Sequence, residues 1–334
     1  MANIALSRAV VGIKPEATAY TFGAPAAADC YPAFDISISY SGDNYQRQET
    51  RDHFGKLDNI PSGSVSCEIG WKFLLVGSGA AGTAPHWDDT IKACGFSETI
   101  VGATSVTYKP SSTYDATSGR PSQAYSVSVI ERDVNNSGGT PCVRYALSGS
   151  MGTIKFSCKY GEPIVAEVSF KGAYQTVTDV ASITPSGVST SVPPRFLGSN
   201  FLSALGTYNS EFTSITYDMG NELGDIMDAN FSTTNGFKGT TITNRRPTGS
   251  IDPAFVRIAV NDFFNQWRLG TTGAMSMSTT IGSAGNAIQI NAARCQYDAL
   301  KLADRNGFRS LEAPFSIVSS VAAVDGDEFS IVLT

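Results

Sequence analysis

The sequence carries the spacing G-x-G-x-x-G at Gly77-Ser78-Gly79-Ala80-Ala81-Gly82, directly after the apolar run Phe73-Leu74-Leu75-Val76. Between a strand and a helix, such glycines let backbone approach a pyrophosphate at the helix N-terminus. Two features oppose that chemistry here. Thr83 and Pro85 delay the helix, whereas a dinucleotide turn places its third glycine inside it. The segments that follow alternate like antiparallel strands, while a nucleotide-binding parallel sheet reads as continuous apolar runs. No second βαβ unit follows. A flexible glycine loop is the expectation, and an enzyme reading, nucleotide-binding or hydrolytic, rests on this loop alone.

The remaining reactive residues are sparse. No G-x-x-x-x-G-K-[ST] or G-x-S-x-G occurs. Carboxylates cluster at Asp88-Asp89 and at Glu222, Asp225 and Asp228. A catalytic pair needs desolvation to split its pKa values, and acids in a first helical turn or a polar loop usually match the helix dipole or stay solvated. The two histidines, His53 and His86, exclude an H-E-x-x-H zinc site and any site of several His ligands. The six cysteines, Cys30, Cys67, Cys94, Cys142, Cys158 and Cys295, include no C-x-x-C pair and read as buried thiols. Asn135-Asn136-Ser137 and Asn230-Phe231-Ser232 match a glycosylation pattern that means nothing without secretion. No catalytic residue, cofactor or metal is expected.

The elements around these residues are mostly strands. Ile36, Ile38 and Tyr40 alternate with Ser37 and Ser39, and Tyr125, Val127 and Val129 with Ser126 and Ser128. Ile154, Phe156 and Cys158, then Ile164, Ala166, Val168 and Phe170, show the same period of two. Turn signals at Ser137-Gly138-Gly139 and Gly161-Glu162-Pro163 predict hairpins joining 125–134 to 142–148 and 153–160 to 164–170. Helical spacing appears twice. In 84–94, Trp87, Ile91 and Cys94 form a stripe, with Thr83 as N-cap, Pro85 in the first turn and Gly95 as the stop. In 253–269, Val256, Val260, Phe263, Phe264 and Trp267 form another, with Asp252 as cap, Pro253 first and Gly270 last.

Two long polar stretches separate strands. Residues 43–59 concentrate charge of both signs, in Asp43, Arg47, Glu49, Arg51, Asp52, Lys56 and Asp58, with Tyr45, His53 and Phe54 interleaved. Residues 218–236, with Glu222, Asp225 and Asp228, form the matching loop. Such loops are either functional or disordered; mixed charge with aromatics suits a segment that orders against a neighbour, and a solvated mobile loop has the same composition.

The order of elements recurs. Ser37-Ile38-Ser39-Tyr40 is echoed by Ser214-Ile215-Thr216-Tyr217, and Gly63-Ser64-Val65-Ser66 by Gly239-Thr240-Thr241-Ile242. A helix follows in each copy, and Tyr160-Gly161 with Phe170 is echoed by Asn306-Gly307 with Phe315. Extra length in the first copy falls in 104–145. Pro and small polar residues without periodicity over 175–200 mark a boundary, so the expected division is a first domain over 1–180, a linker over 181–200 and a second domain over 201–334.

The chain has 334 residues, 42% of them hydrophobic but only 16% charged, against an average near 25% for soluble domains. Its net charge of −6 without a basic run argues against tight nucleic-acid binding. No apolar run approaches the ~20 residues of a membrane span. The N-terminal segment lacks a basic leader, so the expectation is synthesis and use in a cytosol.

Gly77-Ser78-Gly79-Ala80-Ala81-Gly82-Thr83-Ala84-Pro85-His86-Trp87, continuing to Lys92-Ala93-Cys94-Gly95-Phe96, resembles the glycine loop and helix of major tail tube proteins of long-tailed bacteriophages. Ile242-Thr243-Asn244-Arg245-Arg246-Pro247-Thr248-Gly249-Ser250-Ile251-Asp252-Pro253 resembles the segment entering the second helix of that family, and Glu328-Phe329-Ser330-Ile331-Val332-Leu333 its final strand. The resemblance implies a mainly β (α+β) fold of two tandem tube domains, each two packed antiparallel β-sheets flanked by one α-helix. It implies a structural role without catalysis, in a virion tail assembled in the host cytoplasm. Two fused tube domains imply rings of three subunits stacked into a tube. The genome passes through its lumen without specific binding, and the tape-measure and tail-end proteins are partners. The loops at 43–59 and 218–236 are the expected contacts between rings, and Trp87, Ile91, Cys94, Val256, Val260, Phe263 and Trp267 the structural helix residues. Alternatives are a tail terminator or a secretion-system tube subunit, both usually shorter.

Overall fold

The structure, a computed structural model, describes residues 4–52, 54–112, 124–133, 139–202, 205, 208–231, 234, 236–319 and 326–334. The first half of the chain forms Ile4–Pro15 (β1), Cys30–Tyr31 (β2), Phe34–Gln46 (β3), Asn59–Leu74 (β4), Phe96–Val101 (β5) and Ser105–Pro110 (β6). Tyr125–Asp133 (β7), Cys142–Lys159 (β8) and Val165–Val180 (β9) follow, and the helix Asp88–Lys92 (α1) lies between β4 and β5. The second half forms Phe201–Leu202 (β10), Ser214–Asp218 (β11), Asn221–Met227 (β12), Phe237–Arg245 (β13) and Thr248–Ile251 (β14). The helix Phe263–Arg268 (α2) precedes Gly273–Met277 (β15), Ile288–Tyr297 (β16), Lys301–Arg305 (β17), Phe308–Ile317 (β18) and Phe329–Leu333 (β19).

The fold is mainly β, with antiparallel pairing throughout these strands. A continuous ribbon runs β3–β4–β9–β8, crosses to β11, and goes on through β14 to β18, which is flanked by β17 and β16. From β16 it passes to β19, β6 and β5. The N-terminal half of β8 pairs with β7, which pairs with β1, and β1 with β2. Strands β12 and β13 form a separate two-stranded sheet.

The two predicted hairpins are present, as β7–β8 and β8–β9, although Ser137 and Gly138 of the first turn lie outside the described residues. The segments 142–148 and 153–160 belong to one strand, β8, whose register shifts between Ser148 and Met151. Gly149 sits there at φ +58°, where a Cβ would come 2.4 Å from the Lys238 carbonyl oxygen; the alternation lapses because a second segment crosses at that point. Residues 175–180 are strand, with Gln175 opposite Ala146 and Val180 opposite Cys142.

Period-two burial builds the core. Strand β4 buries Cys67, Ile69, Trp71 and Phe73, and β9 buries Ala166, Val168 and Phe170. Trp71 stacks on Phe170 with centroids 5.0 Å apart. Across the chain, Phe156 of β8 stacks on Phe329 of β19 at 5.8 Å, and Phe329 meets Tyr217 of β11 at 5.5 Å. Each fully covered side chain of this size contributes roughly 1.5–3 kcal/mol, and these three rings join the two halves.

A succession of strands recurs. Ile38 of β3 faces Ile69 of β4, which faces Phe170 of β9. Ile215 of β11 faces Ile251 of β14, which faces Ala313 of β18. The Ser-Ile-Ser-Tyr and Ser-Ile-Thr-Tyr segments occupy these corresponding first strands, and hairpins β8–β9 and β17–β18 complete each run.

Both helices are shorter than their stripes predict. Residues 85–87 form a turn, with the Asp88 N–H donating to the Pro85 carbonyl at 3.1 Å, so the helix starts after Trp87 rather than at Thr83. Residues 253–261 are not helical: Ala254 bridges Ser310, and the Phe255 N–H donates to the Arg309 carbonyl at 3.0 Å. The segment serves as an edge for β18 before α2 begins. The α2 N-cap is Asp262, whose carboxylate accepts from the Asn265 N–H at 2.9 Å.

Candidate assembly surfaces

The glycine loop is occupied by the chain itself. The Gly77 N–H donates to Asn286 Oδ1 at 2.7 Å and the Gly79 N–H to the Gly285 carbonyl at 3.0 Å. A Cβ on Gly77 would lie 2.4 Å from the Gly285 oxygen, so this glycine is required by close approach of two backbones. The loop docks the first half on the turn at 282–286, and α1 begins only at Asp88. Its donors point at protein oxygens, and a flexible loop is replaced by a fixed one.

The acidic clusters resolve into ion pairs. Lys92 Nζ reaches Asp88, Asp89 at 3.5 Å and Glu98 at 3.4 Å, while the Tyr108 hydroxyl donates to Asp88 at 2.8 Å. Burial pushes the Asp89 and Glu98 carboxyls above their ordinary values, against the pull of Lys92. Glu222 pairs with Arg246 at 3.1 Å, Asp225 with Lys171 at 2.8 Å and Asp228 with Lys238 at 3.1 Å, so these three acids converge on no common site. The backbone N–H of Asn230 and the Lys238 ammonium hold the Asp228 carboxyl below its usual range. Among the described residues no group of three or more His, Cys, Asp or Glu side chains could hold a metal ion. All six cysteines are buried and free. His86 packs on the Tyr31 ring at 5.3 Å, and burial lowers its pKa to about 4.

Both long polar stretches lie on β-hairpin arms: the described residues of 47–58 form a loop at the end of the first, and Asn221–Met227 of the second is a strand. In the first, β3 runs to Gln46 and β4 starts at Asn59, with Tyr45 opposite Ile60. Asp43 accepts from Ser64 Oγ at 3.4 Å and Arg47 pairs with Glu49 at 3.0 Å. Arg51, Asp52, Lys56 and Asp58 are exposed on the tip; His53 lies outside the described residues. Tyr45 is 59% exposed, and Phe54 and Ile60 are exposed too. The second arm, β12–β13, has Leu223 opposite Ile242, and it lies against the first half. Asn221 Nδ2 donates to the carbonyls of Cys94 at 2.8 Å and Gly152 at 2.9 Å, and Thr240 Oγ1 donates to that of Lys171 at 2.7 Å. One arm is therefore docked and the other free.

The helix stripes differ in the same way. Trp87, Ile91 and Cys94 are buried, and Trp87 Nε1 donates to the Val76 carbonyl at 2.9 Å. Around α2, Phe263 is buried and Val256 packs on the core, but Val260 is exposed, and Trp267 is 45% and Leu269 62% exposed. The Trp267 indole donates to the Asp298 carbonyl at 3.1 Å. The first helix is covered because β1 and β5 pack on it and Tyr31 of β2 is bonded to Thr90; among the described residues α2 packs mainly on β16. Sequence reasoning did not single out two further features, the outer edges of β3 and β17. Phe34 and Tyr40 of β3, Leu302 of β17 and Phe308 at the start of β18 are exposed apolar groups there. An alternating strand that stays open on its core face is a signal only once the pairing is known.

An open antiparallel ribbon with apolar groups on its edges and an exposed charged arm has the geometry of a building block. Comparison with curated proteins gives no match. The sequence matches the phage tail tube protein family over residues 7–327, nearly the whole chain. The chain therefore belongs to the phage tail tube protein family and has a structural role in the virion tail.

Proposed function

We propose that this chain is the two-domain, siphovirus-type tail tube subunit. Three copies close a ring with pseudo-sixfold symmetry, and rings stack into the tube that conducts the genome. The observation that carries this reading is the pair of open sheet edges at β3 and β17, which end the two corresponding strand runs; β5, paired only with β6, is a further open edge of the ribbon. Open edges with exposed aromatic and aliphatic groups invite pairing with further chains, and ring closure removes them. Contacts of this heterologous kind generate rings where the rotation closes. The duplicated strand run supports two ring units per chain, and hence three chains.

The net charge of −6 suits a lumen that repels phosphates so that DNA slides without adhering. The proposal includes no catalysis, and assembly in the host cytoplasm with the tape-measure and tail-end proteins. The residues Asp43–Asp58, expected from the sequence to lie between rings, are assigned to a contact with the neighbouring copy, and Glu222, Asp225 and Asp228, expected there too, are paired within the chain. Negative-stain microscopy of the purified chain is expected to show rings or tubes with three subunits per ring. A monodisperse monomer at high concentration under all salt conditions refutes assembly, and six identical subunits per ring refute the trimer.

A further inference from the structure

The chain contains one joint between its two strand runs. Strand β8, the last of β3–β4–β9–β8, pairs with β11, the first of β11–β14–β18–β17, placing Lys155 opposite Asp218, Ser157 opposite Thr216 and Lys159 opposite Ser214. The runs correspond residue by residue. Ile38, Ile69 and Phe170 stand in line as Ile215, Ile251 and Ala313 do, and Val168 faces Ile154 as Leu311 faces Leu302. By this correspondence Ser41 stands where Asp218 stands, and Ala303 where Lys155 stands.

What the joint covers is visible by comparison. Tyr217 is 0% exposed and Tyr40, in the same place at the free end, is 47% exposed. Ile154 is 0% exposed, and Leu302, in its place at the other free end, is 51% exposed. Among the described strands, β3 pairs only with β4 and β17 only with β18. The two ends thus show, uncovered, the kind of residues that the internal joint buries.

We propose that the internal joint is repeated between copies: the outer edge of β3 in one copy pairs antiparallel with the outer edge of β17 in the next, with Ser41 opposite Ala303 and Ser39 opposite Arg305. Continued along the strands, this register puts Tyr40 opposite Asp304 and Asp43 opposite Lys301, so an acidic group meets an ammonium. The arms follow the same operation. The docked arm lies on Gly152, Lys171 and the C-terminal end of α1, with Ile242 against Gly95. The corresponding places in the second run are Leu300, Pro314 and the C-terminal end of α2. There Trp267 and Leu269 are exposed, and they receive Tyr45, Phe54 and Ile60 of the neighbour's free arm. The inference rests on the ring reading and specifies its contact.

Cysteine pairs test the register, since the six native thiols are buried. Ser41→Cys with Ala303→Cys is expected to oxidise to covalent oligomers ending at a closed trimer. Ser39→Cys with Ala303→Cys is two residues out of register, about 8 Å between Cα atoms against a bridging limit of about 7 Å, and should yield at least about tenfold less. Lys155→Cys with Asp218→Cys closes the same geometry within one chain and serves as the positive control. In the unmodified chain, amides of 37–42 and 301–305 should exchange at least about tenfold more slowly in tubes than in unassembled protein. Tubes in which both pairs cross-link equally, or neither does, or in which exchange at these edges is unchanged, overturn the register and leave the ring reading standing. Failure of the unmodified chain to form rings or tubes overturns the reading and the register together.

Discussion

Tyr40 and Tyr217 form an internal control for assembly, because corresponding positions differ in what covers them: 47% exposed in one and 0% in the other. Replacing a fully buried aromatic by Ala costs about 3–5 kcal/mol, and the Tyr217 hydroxyl also donates to the Met275 carbonyl at 3.0 Å. Tyr217→Ala should therefore fall at the upper part of that range in the unassembled chain. Tyr40 is covered by about half, so Tyr40→Ala should cost about 2 kcal/mol there. Its uncovered half, roughly 100 Å², is worth up to about 2.5 kcal/mol at each joint if β17 of a neighbour covers it. That equals about a 60-fold loss in association. Urea unfolding of dilute protein measures the first quantity, and the concentration at which tubes sediment measures the second. Tubes forming from Tyr40→Ala at the unmodified chain's concentration would refute the reasoning. So would equal destabilisation of the two unassembled variants.

Gly77→Ala brings a Cβ to 2.4 Å from one backbone atom and 2.7 Å from another in the 282–286 turn. It should destabilise by about 1–3 kcal/mol in urea unfolding, while nucleotide titration stays silent for both proteins. Unchanged stability would remove close backbone approach as the reason for this glycine. The pH dependence of stability carries the mark of His86, whose pKa is lowered from 6.5 to about 4 by burial. The unfolded chain takes up this proton first, so stability is fully present above pH 6.5 and declines as pH falls toward about 4, with no further loss below. The gap corresponds to about 3 kcal/mol, reduced to about 2 by solvent screening at a partly open ring. Asp89 and Glu98, with raised carboxyls, act in the opposite direction at the low end. The difference in urea midpoint between the unmodified chain and His86→Gln, followed from pH 7 to 4, isolates the histidine, and parallel curves contradict the assignment.

What was legible in the sequence follows from where the core lies. Strand β9 and residues 153–159 of β8 could be read because one face meets the core and the other does not, which writes a period of two into the residues; β7 is buried on both faces and alternates only in residue type, with Ser126 and Ser128 enclosed. The arms could not be read as strands. Residues 221–227 and 237–245 pair in a sheet of their own that docks on the first half largely through polar groups, Asn221 and Thr240, so no apolar alternation marks them and only their polarity showed. The α2 stripe misled because spacing at i and i+4 records which residues are apolar, not what backbone they stand on. Val256 precedes the helix and reaches the core from an extended segment. Asp252 misled for a related reason. A carboxylate before proline can cap a helix, but here it accepts from the N–H groups of Thr213 and Ser214, at 2.9 and 2.7 Å, and pairs with Arg305 at 3.4 Å. The donors it satisfies lie across the fold, where local spacing cannot see them. The glycine loop gave its residues correctly and its partner not at all, since Gly285 and Asn286 are more than two hundred positions away.

The low charge of the chain takes its meaning from the difference between the two runs. One chain with two ring units makes half of the proposed joints intramolecular. Such a joint forms at an effective concentration of the order of millimolar, whatever the amount of protein. The internal joint is therefore complete in every folded copy, and its buried Ile215 and Tyr217 stabilise the monomer. The remaining joints depend on mass action, and their groups must be tolerated in water before rings form. The residues agree with that division. Beside the free edges stand Asp43, Arg47, Glu49, Arg51, Lys301, Asp304 and Arg305, a dense share of the 16% charge of the whole chain. Charged side chains on an open edge hinder pairing with unrelated strands, and opposite charges in register restore it for one partner. Replacing Asp43 by Lys would leave both edges as polar as before and place two cations opposite one another. Solubility would be kept while the joint is lost, an outcome that a merely solvated arm would not produce.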